Sequence, residues 1–148
     1  YTARKPSTFD TAPDRVGRLF ENFVAVEKDY YRTTGIFPIM HTVVIRRDVY
    51  AANPWVAQSL FKAFSAAKAK ALASYDQTAA LPAMLPWLTA HVEEAKREIG
   101  NDWWPYGLSS NRHVLETFLR YHQEQGLSKR LMRPEELFAK ETLESYRI

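Results

Sequence analysis

From about residue 48 onward, apolar positions recur at spacings of three and four, the period of helices buried along one face. Val56, Leu60, Ala63, Phe64, Ala67 and Ala71 form one such stripe, launched by Asn53 as N-cap and Pro54 at the first helical position; its alanines predict close packing. Leu85, Leu88, Val92, Ala95 and Ile99 form a second, framed by Pro82 and Pro86 and stopped by Gly100. Val114, Leu115, Phe118, Leu119 and His122 form a third, capped by Ser109 or Ser110 and ending at Gly126. Asp48 to Ala52 predicts a single turn, and Pro134-Glu135-Glu136 predicts a helix start leading to Leu137 and Phe138, its acidic residues suiting the helix dipole.

Upstream the pattern is less regular. Residues 1 to 13, with Pro6, Pro13 and Ser7-Thr8, read as an extended or loop segment. Thr11 and Asp14, three apart before Val16, Leu19, Phe20 and Phe23, have the form of a capping box opening a short amphipathic helix. Val24 to Thr34 is again helical, with Gly35 as its stop. The exception to helical periodicity follows at once. Gly35-Ile36-Phe37-Pro38-Ile39-Met40-His41-Thr42-Val43-Val44-Ile45-Arg46-Arg47-Asp48 is apolar, rich in β-branched residues and bounded by breakers, which predicts one buried strand. A lone strand cannot satisfy its own ladder, so its partners are expected outside these 148 residues.

Composition narrows the class. A chain of 148 residues with 46% hydrophobic content is long enough for one domain burying roughly 70% of its unfolded surface. Twenty Lys and Arg against seventeen Asp and Glu give +3, spread without a block of like charge. Nucleic acid is therefore not indicated, because phosphate-driven binding needs a clustered basic stripe. The absence of cysteine removes disulfides, thiolate zinc sites and thiol nucleophiles. No apolar run approaches the roughly 18 residues of a membrane span, so a soluble chain without membrane contact is expected. No signal peptide is visible, although the chain starts at Tyr1-Thr2-Ala3-Arg4 without an initiator Met. No glycine-rich phosphate loop, serine elbow or dinucleotide fingerprint is present.

Four groups carry candidate chemistry. His41 is the single titratable interruption of the apolar strand and is suited to general acid or base work near neutrality; the alternative is a structural imidazole bonded to a backbone carbonyl. Arg4 and Lys5, beside Ser7, Thr8 and Tyr1, make a cationic, hydroxyl-bearing stretch suited to a carboxylate, or an ordinary charged loop. Arg46-Arg47-Asp48 is suited to an anion or to a local ion pair. Trp103, Trp104 and Tyr106, in an aperiodic loop from Asn101 to Gly107, either stack on an aromatic ligand or plug into the core. His91 with Glu94 and His113 with Glu116 share helical faces but offer only two ligands each, and His113 and His122 lie on opposite faces; no metal site is assigned.

At Tyr1-Thr2-Ala3-Arg4-Lys5-Pro6-Ser7, the strand stretch Gly35 to Arg47, Trp104-Pro105-Tyr106-Gly107 and Glu135-Glu136-Leu137-Phe138, the sequence resembles the 4,5-dihydroxyphthalate decarboxylases. The likeness spans nearly the whole chain, in order, and is to the carboxyl-terminal half of that family. It implies an α/β fold, part of a type II periplasmic-binding-protein-like pair of lobes and helix-rich in this segment. Residues 1–35 would end the second lobe and cross over, and residues 36–148 would return to the first. The orphan strand would then join a sheet begun upstream.

The resemblance also implies decarboxylation of 4,5-dihydroxyphthalate, or a related aromatic dicarboxylate, to 3,4-dihydroxybenzoate without an organic cofactor. Local chemistry then suggests His41 as the catalytic proton carrier or phenol partner. Arg4 would clamp a carboxylate, Ser7 or Thr8 would hydrogen-bond it, and Trp104 and Tyr106 would stack on the ring. The compartment expected for such an enzyme is cytoplasmic, and a homo-oligomer is left open. The competing class is a solute-binding protein, periplasmic and without catalysis, that captures a small aromatic or carboxylic ligand on the same scaffold. A helical interaction module is the third class; it lacks an apolar stripe that the core does not already claim.

Overall fold

The computed structural model describes residues 4–143. Helices and 3-10 turns take up 54% of these, and none of the described residues forms a strand. The chain divides into two units, residues 1–37 and 38–148.

In the first unit, α1 (Thr8–Thr11) is a single turn that starts where Ser7 accepts the N–H groups of Asp10 and Thr11, each at 3.1 Å. The expected capping box at Thr11 and Asp14 does not open a helix. Thr11 instead closes α1, its hydroxyl donating back to Ser7 O at 3.2 Å, and residues 12–22 run through turns until Asn22. Competition between side-chain and backbone acceptors for threonine hydroxyls is the physical reason. Arg18 bridges this stretch, its guanidinium 4.4 Å from the Phe23 ring and 5.8 Å from that of Phe9.

The helix expected over Val24–Thr34 forms as α2 (Phe23–Thr34). Gly35 ends it in the left-handed region (φ 67°), giving its N–H to Tyr31 O at 2.7 Å, a conformation that costs a residue with a Cβ about 1–2 kcal/mol. Ile36 is buried just beyond, its N–H held by the Thr34 hydroxyl at 3.1 Å.

In the second unit, the expected strand is absent. Residues 38–46 have no regular secondary structure and make no backbone ladder, and Met40, Val43 and Val44 are exposed. β-branched composition favours an extended backbone, but a strand exists only when a neighbour takes up its N–H and C=O groups, and none among the described residues does so. Arg46 and Asp48 form a local ion pair at the end of this stretch, Arg46 Nε donating to Asp48 Oδ1 at 2.9 Å, which resolves the Arg46-Arg47-Asp48 group toward its simpler reading.

The single turn expected next forms as α3 (Arg47–Ala52). The long helix follows as α4 (Trp55–Ser74). Asn53 is non-helical (φ −141°) and its C=O accepts the Val56 N–H at 3.0 Å, while Pro54 already has helical angles; no side chain caps the end. Its apolar stripe is not the close-packed face expected. Ala57 is its buried residue, whereas Ala63, Phe64, Ala67 and Ala71 are exposed.

α5 (Leu88–Glu98) buries Leu88 and Val92 and turns at Gly100 as expected. α6 (Leu108–Glu124) buries Leu108, Leu115 and Leu119. It starts one turn earlier than the serines predict: Ser109 and Ser110 lie inside it, and neither caps. Instead Asn111 Nδ2 donates to the carbonyls of Pro105 and Gly107, both at 2.9 Å. Pro134-Glu135-Glu136 forms one 3-10 turn and stops there, packed on α6, with Arg112 joined to Glu135 at 2.5 Å. A second 3-10 turn, Lys140–Thr142, packs on α4, and the Tyr50 hydroxyl donates to Glu141 at 2.7 Å. That bond raises the Tyr50 phenol and lowers the Glu141 carboxyl from their ordinary values.

Candidate functional site

In the second unit, a constellation of aromatic and charged side chains lies between α4 and the loop before α6. Residues 101–107 have no helical period because Pro105 and Gly107 break it, so the loop folds back across α4 and lays its aromatic rings along the exposed side of that helix. Gly107 permits the approach. Its φ is 90°, and a Cβ there would stand 3.3 Å from Cζ of Phe61 on α4. From the other side, Asn111 holds the loop to α6 through the two carbonyl bonds already described.

Lys68 fastens the loop to α4. Its ammonium donates to both carboxylate oxygens of Asp102, at 2.8 and 3.0 Å, and to Trp104 O at 3.2 Å, and it lies 4.9 Å from the centre of the Tyr106 ring. The Lys68 side chain is only 16% exposed, so this is a sheltered charge with its counter-ion in place rather than a solvated surface lysine. A second pair repeats the arrangement along the helix. Lys96 donates to Asp76 at 2.6 Å and sits 5.9 Å from the Trp103 ring, which meets Tyr75 at 6.3 Å and a tilt of 59°.

Between these anchors lies a concavity of about 530 Å³, walled by Phe64, Tyr75, Trp103, Trp104 and Tyr106 and floored by Ala67 and Ala71. Ala67 and Ala71, which periodicity predicts as packing surface, are exposed here and line the concavity instead. A hollow of about 270 Å³ adjoins it at Trp103, edged by Asp76, Lys96 and Asn101.

Of the residues named from sequence, Trp104 and Tyr106 are therefore brought together: they are 42% and 38% exposed and line the concavity. Ser7 and Thr8 are exposed at the start of α1, where Lys5 pairs with Asp10 and Arg4 is exposed alongside. These belong to the first unit. His41 stands in the unladdered stretch of the second and is exposed. Sequence reasoning missed Lys68 and Asp102 because they are 34 residues apart and each looks like surface charge in isolation. Among the described residues no group of three or more His, Cys, Asp or Glu could hold a metal ion, and no helix is long and apolar enough to cross a membrane.

Over 145 residues, 98% of its length, the chain is 38% identical to a 4,5-dihydroxyphthalate decarboxylase of Comamonas testosteroni. The chain is similar to a 4,5-dihydroxyphthalate decarboxylase. It spans 44% of that protein's length, and no family model matches it. The resemblance read from Tyr1 to Ser7, Gly35 to Arg47, Trp104 to Gly107 and Glu135 to Phe138 is thus borne out across the chain. Its Trp-Pro-Tyr-Gly segment is the one that the structure folds into a cavity wall.

Proposed function

We propose that this chain is the carboxyl-terminal part of a decarboxylase that converts 4,5-dihydroxyphthalate, or a closely related aromatic dicarboxylate, to 3,4-dihydroxybenzoate. The observation that carries the reading is 38% identity over 98% of the chain to a protein of that name. Within the two-lobe, type II periplasmic-binding-protein-like fold proposed for the whole protein, residues 1–35 end the second lobe and cross over. Residues 36–148 return to the first, and the unladdered stretch after Pro38 becomes a strand of its sheet.

The chemistry needs no organic cofactor. Each ring hydroxyl lies para to one carboxylate. Loss of the hydroxyl proton pushes electron density onto the ring carbon that bears that carboxylate. A proton adds there, forming a C–H bond and a dienone. The C–C bond to the carboxylate then breaks, carbon dioxide leaves, and the bonding pair returns to the ring, restoring aromaticity with a phenolate that regains its proton. Overall one proton is taken up and one carbon dioxide is released.

Such a path requires an anion clamp, a proton carrier and a surface for the ring. Arg4 is assigned the clamp, because a guanidinium fork matches a carboxylate, with Ser7 or Thr8 adding a hydrogen bond. His41 is assigned the proton carrier to the ring carbon, because an imidazole is the side chain suited to general acid and base work. Trp104 and Tyr106 hold the ring. The test is incubation of the natural protein carrying this sequence with 4,5-dihydroxyphthalate, following 3,4-dihydroxybenzoate by chromatography. Stoichiometric appearance of that product is expected; saturable binding without product would overturn the reading.

A further inference from the structure

We infer that the amino-terminal half of α4 is a docking face for the preceding part of the natural protein, whose sheet covers Val56, Leu60, Ala63 and Phe64. The inference rests on the reading of this chain as a carboxyl-terminal part, and goes beyond it by naming the surface that receives the rest. These four residues stand at i, i+4, i+7 and i+8, so they share one side of the helix. Ala63 and Phe64 are exposed, and Val56 and Leu60 are half-buried. A single exposed apolar side chain is ordinary, but a run of them in helical register marks a contact. The chain's own packing takes the neighbouring side, about 100° round the axis, where Ala57 is buried and Phe61 half-buried. One apolar side of α4 is therefore covered within the chain and a second is not.

Charge, chain order and chain length together point to the occupant. Residues 49–61 carry no charged side chain, and Lys62, the one charge on α4 before Lys68, lies at least about 100° round the axis from every member of the stripe. The face therefore fits an apolar surface rather than an acidic or basic partner. Immediately upstream, Met40, Val43 and Val44 are exposed on a stretch whose backbone finds no ladder among the described residues. Its consecutive apolar positions suit a strand buried on both faces, and such a strand needs helices as its cover; the helix that follows across residues 47–54 is α4. The relative already described supplies the length, since this chain spans 44% of it and more than half remains to build such a sheet. The cover ends at Phe64. Beyond it, residues 101–107 already border the helix, and Ala67 and Ala71 stay as the floor of the concavity.

The test is thiol labelling of the natural protein carrying this sequence, with one cysteine introduced into α4 at a time. These 148 residues hold no cysteine, so the modified peptide reports each introduced thiol by mass spectrometry. Leu60→Cys and Ala63→Cys are expected to react with N-ethylmaleimide at least about a hundredfold more slowly in the folded protein than in urea, as groups that must open to react. Ala66→Cys, exposed on the Lys62 side of the helix, is expected to react within about tenfold of its rate in urea. The contrast should persist through an about hundredfold dilution, because a cover from the same polypeptide is intramolecular. Equal protection at positions 63 and 66, or none at 60 and 63, overturns the inference. Protection at 60 and 63 that is lost on dilution overturns it in favour of a second copy of the protein. The decarboxylase reading is judged separately, from the 3,4-dihydroxybenzoate that the parent protein forms. Product formation alongside a fully reactive Ala63→Cys variant removes the docking face alone, and protection without product removes the decarboxylase reading alone.

Discussion

Glu136 shows how much a single residue can tie together at the end of the chain. Its carboxylate accepts from the Arg130 guanidinium, at 3.2 Å for one of the two contacts, and from the Arg133 backbone N–H at 3.1 Å, closing the 3-10 turn that packs on α6. The Arg130 bond first, and the Arg133 N–H second, hold its carboxyl down to about 2 from an ordinary 4.5. Because the folded value lies below the unfolded one, the stabilisation is complete above about 4.5 and is lost as the pH falls toward 2. The chain should therefore be more stable than its Glu136→Gln variant at pH 6, with the gap closing progressively between pH 5 and about 2. Urea unfolding followed by circular dichroism across that range measures it, and a gap that stays constant with pH would contradict the assignment. The acidic start signal at Pro134-Glu135-Glu136 was legible in the sequence. The arginine six residues upstream that fixes it was not, since nothing local marks which of several arginines will fold back.

At the scale of elements, helices were legible and the strand was not, for a physical reason visible at Gly35. A helix satisfies its backbone within its own segment, so the periodic stretch from Val24 to Thr34 and the glycine after it suffice to place α2 and its left-handed cap. The stretch from Pro38 to Ile45 has equally clear composition, but a strand takes its hydrogen bonds from another segment, and no described segment supplies them. α4 gives the complementary lesson. Its alanine stripe was correctly read as a helix face and wrongly read as buried, because small residues at helical spacing mark either a close neighbour or an open floor, and only the return of Trp103 to Tyr106 decides between them.

The proposed pairing of the Ile36–Ile45 stretch has a direct consequence for amide exchange. In the 148-residue chain the backbone N–H groups of residues 39–45 make no backbone hydrogen bonds and should exchange at rates close to those of an unstructured peptide. In the natural protein the same amides should be protected by at least about a hundredfold if they enter a sheet, while those inside α6 should be protected in both. Mass-spectrometric exchange on the two forms checks it, and equal, unprotected exchange of residues 39–45 in both would remove the proposed strand.

For the whole molecule, the proposed reaction divides its labour among groups that the sequence places far apart. Arg4, Ser7 and Thr8 lie in the first unit, and His41 with the aromatic cavity in the second. A group that holds substrate and transition state alike affects KM, whereas one that moves a proton only as the C–H bond forms affects kcat. Arg4→Met should accordingly raise KM for 4,5-dihydroxyphthalate by about tenfold or more with a smaller change in kcat, since a charge-assisted carboxylate bond of about 1.5–3 kcal/mol is removed in both states. His41→Gln keeps a hydrogen-bonding side chain of similar reach but cannot deliver a proton, and should lower kcat by about a hundredfold or more with KM changed by less than about threefold. His91→Gln, altering an exposed histidine on α5 outside the cavity, serves as the control and should match the parent. Steady-state kinetics on the natural protein separate the roles. Unchanged turnover in His41→Gln would transfer the proton step to another group, and a kcat defect without a KM defect in Arg4→Met would move that guanidinium from ground-state clamp to transition-state contact.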